Sequence, residues 1–399
     1  MTLALERPTL APSRHFGLAV LALAMGGFAI GTTEFVTMGL LPEISDGVGV
    51  SIPAAGRVIS AYAVGVVVGA PVIAFLGARL PRRGLLVALM TWFVAGNAAS
   101  ALAGSYGLLT AARFLAGLPH GAYFGVASLV AASLAGPERR GRAVSLVMLG
   151  LAVANIVGVP AATWLGQHLG WRSAYWTVSV LGAVTIAMVL VFVPRCPGDP
   201  EATGRRELTA FARPQVWLTL LVGAVGFGGM FAVYSYISPT LTQVGGLPAS
   251  AVPWFLLVFG LGMTGGTFLG GVLADWSVFR SLLVSSVAMG LSLLAFSVTA
   301  HWGWWAVPNI ALIAVVSSVL VVNLQLRLME VAGNAQTLGA AMNHASLNMA
   351  NALGAFLGGL VIAAGYGYTA PALVGAGLSV AGLLVLVVSA QLHLRTTAA

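Results

Sequence analysis

Glu34, Arg113 and His120 are the residues whose types suit proton chemistry inside otherwise apolar stretches of this chain. Glu34 interrupts an apolar run that begins at Phe16. Because an ionised side chain is costly inside a membrane, its presence there indicates a functional role. Arg113 stays protonated at any ordinary pH and needs a partner when it is buried. His120 follows seven residues later, on nearly the same helical face. It can relay a proton near neutral pH, and the alternative is a histidine that only hydrogen-bonds a neighbouring helix.

The composition shows what kind of element must position these residues. Of the 399 residues, 59% are hydrophobic and 7% are charged, whereas soluble domains carry about 25% charged residues. Apolar runs of about 20 residues recur along the chain, as expected for transmembrane helices. The single cysteine, Cys196, excludes an internal disulfide framework. We therefore predict an all-α polytopic membrane protein embedded in a lipid bilayer.

Twelve apolar segments predict twelve transmembrane helices. These spans are 16–41, 54–77, 85–104, 107–134, 144–165, 173–193, 216–239, 251–274, 281–300, 304–326, 337–363 and 369–392. The polar stretch 194–215 separates six spans from six. We expect bundles at 16–193 and 216–392, a cytoplasmic linker at 194–215, and cytoplasmic tails at 1–15 and 393–399.

The two bundles are predicted to be pseudo-symmetric. The string GARLP follows span two and GVLAD follows span eight, so similar turns recur at equivalent places in each half. Duplicated helical halves joined by a central linker are typical of transporters that rock around a site near the bilayer midplane.

The arginines predict the orientation, and the chain contains no lysine. With the N-terminus in the cytoplasm, fifteen of the 18 arginines fall in cytoplasmic segments and two in external ones, while Arg113 lies within span four. Such an imbalance favours cytoplasmic N- and C-termini under the positive-inside rule. It also argues against nucleic-acid binding, because the basic residues are spread over seven short segments.

Several kinds of chemistry are excluded by the sequence. A Walker loop requires lysine, so ATP does not drive this protein. No cysteine and histidine cluster has the spacing of a metal site. Without a catalytic constellation, we predict neither an enzyme nor a protein with a cofactor.

Three strings carry a resemblance to a known family: GTTEFVTMGLLPEI, ARFLAGLPHGAYFG and AMNHASLNMANALGAFLGG. They resemble the major facilitator superfamily, and within it the twelve-span drug:proton antiporters of the bacterial arabinose-efflux and chloramphenicol-efflux subgroup. The resemblance covers nearly the whole chain but fixes no substrate. It implies a transporter of the bacterial plasma (inner) membrane.

The resemblance also implies roles for two groups of motif residues. The family's inner-loop gating motif is matched after span eight and partly after span two, where Pro81 replaces the acid; the matching and neighbouring residues are Gly271, Asp275, Arg280, Gly77, Arg82 and Gly84. A basic turn that only sets topology is the alternative. In span five the antiporter motif is reduced to Gly158 and Pro160, which mark a bendable helix whether or not it serves antiport.

Glu34 and Arg113 are predicted to lie at similar depths. Glu34 precedes Pro42 by eight residues and Arg113 is six residues into span four, which gives depths of about 12 and 9 Å at 1.5 Å per residue. Burial favours a protonated carboxylate and a nearby guanidinium favours the ionised form. If the two groups meet and part as the halves rock, Glu34 can carry a proton across. A substrate-binding or purely structural Glu34 remains open.

Further polar residues in the spans are candidates for a substrate cavity, because aromatic walls with a few polar groups suit bulky amphipathic ligands. They are Tyr62, Asn97, Tyr123, Asn155, Tyr234, Tyr236, Gln325, His344 and Asn348. For His344 and Asn348, which share a helical face with Asn351, hydrogen bonding between helices is the alternative.

The predicted function is secondary active transport, as proton-coupled efflux of small hydrophobic drugs such as phenicols by a monomer. Export of sugars or arabinose-type metabolites is an alternative within transport. A non-transporting receptor or scaffold is an alternative of another class, although a scaffold has no need of a buried Glu34 and Arg113.

Overall fold

The computed structural model describes residues 16–77, 79–135, 139–197, 213–332 and 336–397. Within these ranges the chain forms helices and short connections, with no β-strand. The predicted tail 1–15 and most of the predicted linker 194–215 lie outside them. At the other end of the chain, the last helix continues to Thr397, into the predicted tail 393–399.

Six long helices form the first part of the molecule. They are α1 (Phe16–Gly39), α2 (Ile52–Gly77), α3 (Arg82–Leu102), α4 (Tyr106–Ala135), α5 (Arg140–Leu169) and α6 (Arg172–Phe192). A short helix, Leu41–Val48, lies in the connection from α1 to α2. We call the face of the bundle that carries this connection the first-loop face.

Six more long helices follow residue 213. They are α7 (Pro214–Tyr234), α8 and α9 (the two arms of Val252–Thr299), α10 (Val307–Ala332), α11 (Gln336–Ala363) and α12 (Ala370–Thr397). The arms α8 and α9 meet at Ser277, whose backbone is extended rather than helical. The predicted six-residue gap between spans eight and nine is therefore a break at a single residue.

The predicted fold class is confirmed. In the described residues, ten helical segments are long and apolar enough to cross a membrane, and one of these, Ala249–Ala332, runs for 84 residues and contains α8, α9 and α10. Counting those three separately gives the twelve predicted spans. The helices are apolar on nearly all sides, as a bilayer requires.

Helices α2 and α4 pack backbone against backbone. A Cβ atom at Gly117 would overlap the carbonyl oxygen of Tyr62, and one at Gly65 would overlap that of Phe114. Only glycine permits such an approach, which is the usual way for membrane helices to associate closely. This contact sets Arg113, one turn before Gly117, directly against α2.

Helix α5 is irregular where it approaches α1. A π-helical turn spans Ala154–Gly158, and the α-helix resumes just before Pro160, whose missing N–H cannot join the regular hydrogen-bond ladder. A Cβ at Gly158 would overlap the hydroxyl of Thr32. The Gly158 and Pro160 motif thus allows α5 to approach α1 two residues before Glu34.

The largest apolar cluster joins α1, α2 and α5 to the helices that follow residue 213. It contains Phe35 and Ile59 from the first group, and Phe231 and Phe255 from the second. Two hydrogen bonds also connect the groups, from Ser60 Oγ to the Ala352 carbonyl (3.0 Å) and from the Gln167 side chain to the Ala249 carbonyl (2.9 Å). These contacts lie toward the first-loop face and enclose Glu34 between the two groups.

Candidate functional site in the helix interior

Arg113 on α4 is fully buried and held by neutral oxygen atoms. One terminal nitrogen donates to Thr33 Oγ1 at 2.9 Å and to Asn97 Oδ1 at 3.4 Å, and the other donates to the Thr33 carbonyl at 3.0 Å. Thr33 Oγ1 in turn donates to Asn97 Oδ1 at 2.5 Å. These bonds engage both terminal nitrogens, which makes the burial of a guanidinium tolerable, while Nε has no partner in the described part of the chain.

Two aromatic rings complete the surroundings of the guanidinium. Its central carbon lies 4.1 Å from the ring centre of Tyr62 and 5.2 Å from that of Tyr175. Arginine stacks favourably on aromatic faces, and burial strengthens such cation–π contacts. Arg113 is therefore fixed between α1, α2, α3 and α6 by contacts that do not include a carboxylate.

His120 is linked to Arg113 through Tyr62. The hydroxyl of Tyr62 lies 3.0 Å from His120 Nδ1, and the two side chains are both buried. The His120 ring also packs against Phe124. The Phe124 ring in turn stacks on His344 of α11, with ring centres 5.9 Å apart and nearly parallel planes. A row of polar and aromatic groups thus leads from Arg113 to the opposite set of helices.

Glu34 follows Thr33 on α1 and points to a neighbouring face of the helix, about 100° further round. Its side chain is 7% exposed and lies beside the amide of Asn351 on α11. The carboxylate interacts electrostatically with Arg113, Tyr62 and Tyr234. Glu34 is therefore the acid at the junction between α1 and the helices that follow residue 213.

Glu34 and Arg113 share the interior without forming an ion pair. Across the described residues, the single ion pair within 4.0 Å joins Arg327 to Glu330. Arg113 contacts the residue next to Glu34 rather than Glu34 itself. The two charges therefore lie on neighbouring faces of one site and are not in direct contact.

Helix α11 presents amide side chains whose hydrogen bonds are incomplete. Asn348 Nδ2 donates to the His344 carbonyl at 3.0 Å, which leaves its Oδ1 without a partner. Asn351 is fully buried, and neither its Nδ2 nor its Oδ1 is in regular hydrogen-bond geometry, although Glu34 lies beside it. Buried polar atoms are nearly always paired, so these mark a place where water or a ligand belongs.

Four other cavity candidates lie at various points of the interior. Tyr123 donates to the Leu23 carbonyl (2.9 Å) and Tyr236 to the Ala355 carbonyl (2.7 Å), so both hydroxyls are occupied. Tyr234 packs against Phe259 with ring centres 4.2 Å apart. Asn155, in the π-helical turn of α5, donates to the Leu151 carbonyl and keeps an unpaired Oδ1.

Of the remaining cavity candidates, Gln325 is half-buried on α10. Asn97 accepts a hydrogen bond from Arg113, and Tyr62 contacts both Arg113 and His120.

The inner-loop motif residues lie on the face opposite the first-loop face. Gly77 ends α2, and Arg82 and Gly84 begin α3, with the Arg82 amide donating to the Cys196 carbonyl at 3.0 Å. In the second copy, Gly271 and Asp275 are exposed near the end of α8, and Arg280 lies 5.4 Å from the ring of Trp276. These residues lie at the opposite ends of their helices from the first-loop face.

Three residues of the site lay outside the set predicted from the sequence. Thr33 and Tyr175 contact Arg113, and Asn351 faces Glu34. The sequence did point to Asn351, since it shares a helical face with His344 and Asn348. Nothing in the sequence pointed to Thr33 and Tyr175, because a threonine or tyrosine in an apolar span does not indicate which residues it contacts.

Buried ionisable residues inside a polytopic helical bundle are found in membrane pumps and transporters. The sequence matches the Major Facilitator Superfamily over residues 23–343. It is 42% identical to the inner membrane transport protein YdhP of Escherichia coli O157:H7, over 93% of this chain and 96% of the relative. It is 34% identical to a chloramphenicol resistance protein of Streptomyces lividans, over 88% and 90% of the two chains.

The solved structures agree at the level of the fold. The crystal structure of a D-xylose-proton symporter superposes with a TM-score of 0.76 at 15% sequence identity, covering 93% of this chain and 97% of the symporter. The chain therefore belongs to the Major Facilitator Superfamily. It is a membrane transporter rather than an enzyme, and its family implies a small-molecule substrate and a lipid bilayer.

Proposed function

We propose that this transporter is a proton-coupled exporter of small hydrophobic drugs, such as phenicols, in the bacterial inner membrane. The observation that carries the proposal is the position of Glu34, a buried carboxylate without an ion-pair partner among the described residues, at the junction of two sets of helices. A carboxylate there can hold a proton while the halves close around it, and it can release the proton when they part.

Arg113 supports this role without neutralising Glu34. Its hydrogen bonds to Thr33 and Asn97 fix a permanent positive charge near the carboxylate. Because α1 and α4 belong to the same half, this attraction stays constant while the halves move. What changes is the burial of Glu34 against the other half, and with it how firmly Glu34 holds its proton. His120, hydrogen-bonded to Tyr62 beside Arg113, is proposed to relay the proton.

The proposed cycle rests on two halves that move against each other. We propose that 16–193 and 216–392 are the rocking units, joined by the linker 194–215, and that the protein acts as a monomer. The distribution of arginines supports cytoplasmic N- and C-termini. In that orientation the first-loop face is external, and the motif residues from Gly77 to Gly84 and from Gly271 to Arg280 gate the cytoplasmic side.

The identity with a chloramphenicol resistance protein supports a drug as the substrate. Aromatic residues near Glu34, such as Phe35 and Tyr234, suit a hydrophobic compound. The alternative is a sugar or arabinose-type metabolite, which the unpaired amides of Asn348 and Asn351 favour because hydroxyl groups donate to and accept from amides. The two are distinguished by which compound moves protons.

The test uses inverted membrane vesicles with an imposed proton gradient. Chloramphenicol, lipophilic cations and sugars are added one at a time, and collapse of the gradient is followed for wild type and Glu34→Gln. The proposal predicts that at least one compound collapses the gradient in wild-type vesicles and leaves it intact in the variant. If a compound crosses the membrane equally well in both without moving protons, the protein is a facilitator and the proton-coupling role of Glu34 is wrong.

A further inference from the structure

We propose that a cavity between the start of α3 and the end of α6 binds the head group of an anionic phospholipid. The cavity measures about 570 Å³ and lies on the face opposite the first-loop face. Its lining includes Arg83 and Gly84 from α3, Leu190 from α6, and Arg195 and Cys196 from the residues that follow α6. The inference goes beyond the proposed function, because it concerns a lipid of the surrounding membrane and not the transported compound.

The two sides of the cavity are tied together by hydrogen bonds. Beyond the end of α6 at Phe192, the Cys196 carbonyl accepts a bond of 3.0 Å from the Arg82 amide at the start of α3. The Arg83 guanidinium donates to the Leu190 carbonyl in the last turn of α6. The shape of the cavity is therefore set by contacts between α3, α6 and the residues after α6.

Three arginines give this end of the molecule an unbalanced positive charge. Arg83 and Arg195 line the cavity, and Arg82 acts electrostatically on the Cys196 thiol in its wall. None of the three has a carboxylate oxygen within 4.0 Å in the described part of the chain. Because like charges repel each other, an anion placed among them is stabilised.

Phosphate is the anion that arginine side chains suit best. A guanidinium is planar and always charged, and it can bond two phosphate oxygens at once. It carries five N–H donors, so Arg83 can hold the Leu190 carbonyl and a phosphate at the same time. Basic pockets between membrane spans, at the level of the membrane surface, are typical sites for anionic lipid head groups.

Apolar surface beside the arginines favours a lipid over a soluble anion. Val87 and Leu190 line the cavity together with the arginines. Along the same two helices, Trp92 on α3 and Val191 on α6 are 48% and 72% exposed. Because α3 and α6 are long enough and apolar enough to cross a membrane, exposed apolar side chains on them are positioned to contact acyl chains. A phospholipid joins a phosphate to such chains and so matches both parts.

The charge of the cavity also distinguishes between kinds of phospholipid. A zwitterionic head group would bring a cation toward the arginines, and the described residues that line the cavity include no aspartate or glutamate to accept it. Phosphatidylglycerol carries the phosphate charge without a cation. We therefore expect it to bind more tightly than phosphatidylcholine.

The experiment compares two lipids that differ only in the head group. The purified full-length protein in detergent is titrated with phosphatidylglycerol or with phosphatidylcholine of the same acyl chains, and native mass spectrometry measures the affinity for the first bound lipid. Two basic side chains at a membrane surface together contribute about tenfold or more to the binding of an anionic lipid. The wild-type protein should therefore prefer phosphatidylglycerol by about that factor.

Variants assign the preference to the cavity. The double variant Arg83→Gln with Arg195→Gln should lose it, whereas Arg83→Lys with Arg195→Lys keeps the charge and should retain most of it. The matched control is Arg139→Gln with Arg140→Gln, which removes the same charge at the start of α5, outside the cavity lining. This control should keep the wild-type preference.

Cys196 reports on the cavity directly, because it lines the cavity and is the single cysteine of the chain. Burial raises the pKa of its thiol, so alkylation by N-ethylmaleimide is followed at mildly alkaline pH, where more of the thiol is ionised. Phosphatidylglycerol should slow the alkylation several-fold relative to detergent alone. Phosphatidylcholine and soluble glycerol phosphate should leave the rate unchanged.

Four outcomes would overturn the inference. The first is equal affinity for the two lipids, and the second is an equal loss of preference in the Arg139 and Arg140 control, which would indicate general attraction to a basic surface. In the third, glycerol phosphate slows alkylation as strongly as the lipid, so the ligand is a soluble anion. In the fourth, alkylation is slow with either lipid and becomes fast only after Asp199→Asn with Glu201→Gln, so acids of the linker fill the cavity.

Discussion

The surroundings of Arg113 and the inner face of α11 are two polar regions of the same interior that differ in how many of their hydrogen bonds are made. Around Arg113, four hydrogen bonds and two aromatic rings surround one fixed charge, and Nε is the guanidinium nitrogen left without a partner in the described residues. On α11, Asn348 and Asn351 are equally buried but keep unpaired atoms. Both regions are within reach of Glu34, one through Thr33 and the other through direct proximity to Asn351.

The difference indicates that the two regions have separate roles. A densely hydrogen-bonded network holds its members in one arrangement, whereas buried amides that lack most of their partners are costly unless something else completes their hydrogen bonds. We infer that the Arg113 region sets the electrostatic environment of Glu34, and that the α11 region is where the ligand and the protons exchange. Four substitutions test this division.

The largest effect is expected for Arg113→Leu. It removes a donor from both oxygen atoms of Thr33 and leaves Asn97 Oδ1 with the Thr33 hydroxyl alone, so the free energy of unfolding should fall by about 3 kcal/mol and transport should be lost. The measurement is chemical unfolding in detergent followed by circular dichroism. A variant as stable as wild type would show that the network around Arg113 is not a structural unit.

A smaller loss is expected for Gly117→Ala, which tests what holds α4 against α2. The new methyl group would overlap the Tyr62 carbonyl and push the helices apart, at a cost of about 1–3 kcal/mol. Gly84→Ala is the control, because nothing lies within 4 Å of a Cβ there. Thermal unfolding of both variants checks this, and equal melting temperatures would contradict the close packing of α2 and α4.

Tyr62→Phe separates the two contacts that Tyr62 makes. The ring under Arg113 is retained and the hydrogen bond to His120 is lost, so the free energy of unfolding should decrease by about 1 kcal/mol. If His120 relays protons, the pH dependence of transport should also shift, as measured by substrate-driven proton flux between pH 5 and 8. An unchanged pH profile would reduce His120 to a packing role.

The smallest effect on stability, with a large effect on function, is expected for Asn351→Leu. An amide with no regular hydrogen bond contributes little, so an apolar side chain of similar volume should leave stability unchanged or raise it by up to about 1 kcal/mol. Ligand-driven proton release should nevertheless be lost. A destabilised variant would mean that Asn351 is already satisfied in the resting protein, and the contrast with the Arg113 region would fail.

Part of this site could be predicted from the sequence. An acid or an arginine inside an apolar span stands out because its burial is costly, so Glu34 and Arg113 were visible, and residue spacing along a helix gave their similar depths. The polar face shared by His344, Asn348 and Asn351 could also be predicted, because their spacing matches the period of an α-helix. The partners of Arg113 were not, because a threonine or tyrosine in a span carries no mark of its contacts.

The sequence by itself determined the helices, their number and their membrane character, because a chain in lipid must satisfy its backbone within each helix. Even the kind of site was set at this level, by one acid and one arginine in apolar surroundings. Only the tertiary structure decided that Arg113 contacts Thr33 while Glu34 faces Asn351. Those contacts depend on how each helix is rotated against its neighbours, and that rotation is fixed by packing between residues distant in the chain, such as Gly117 against Tyr62 and Gly158 against Thr32.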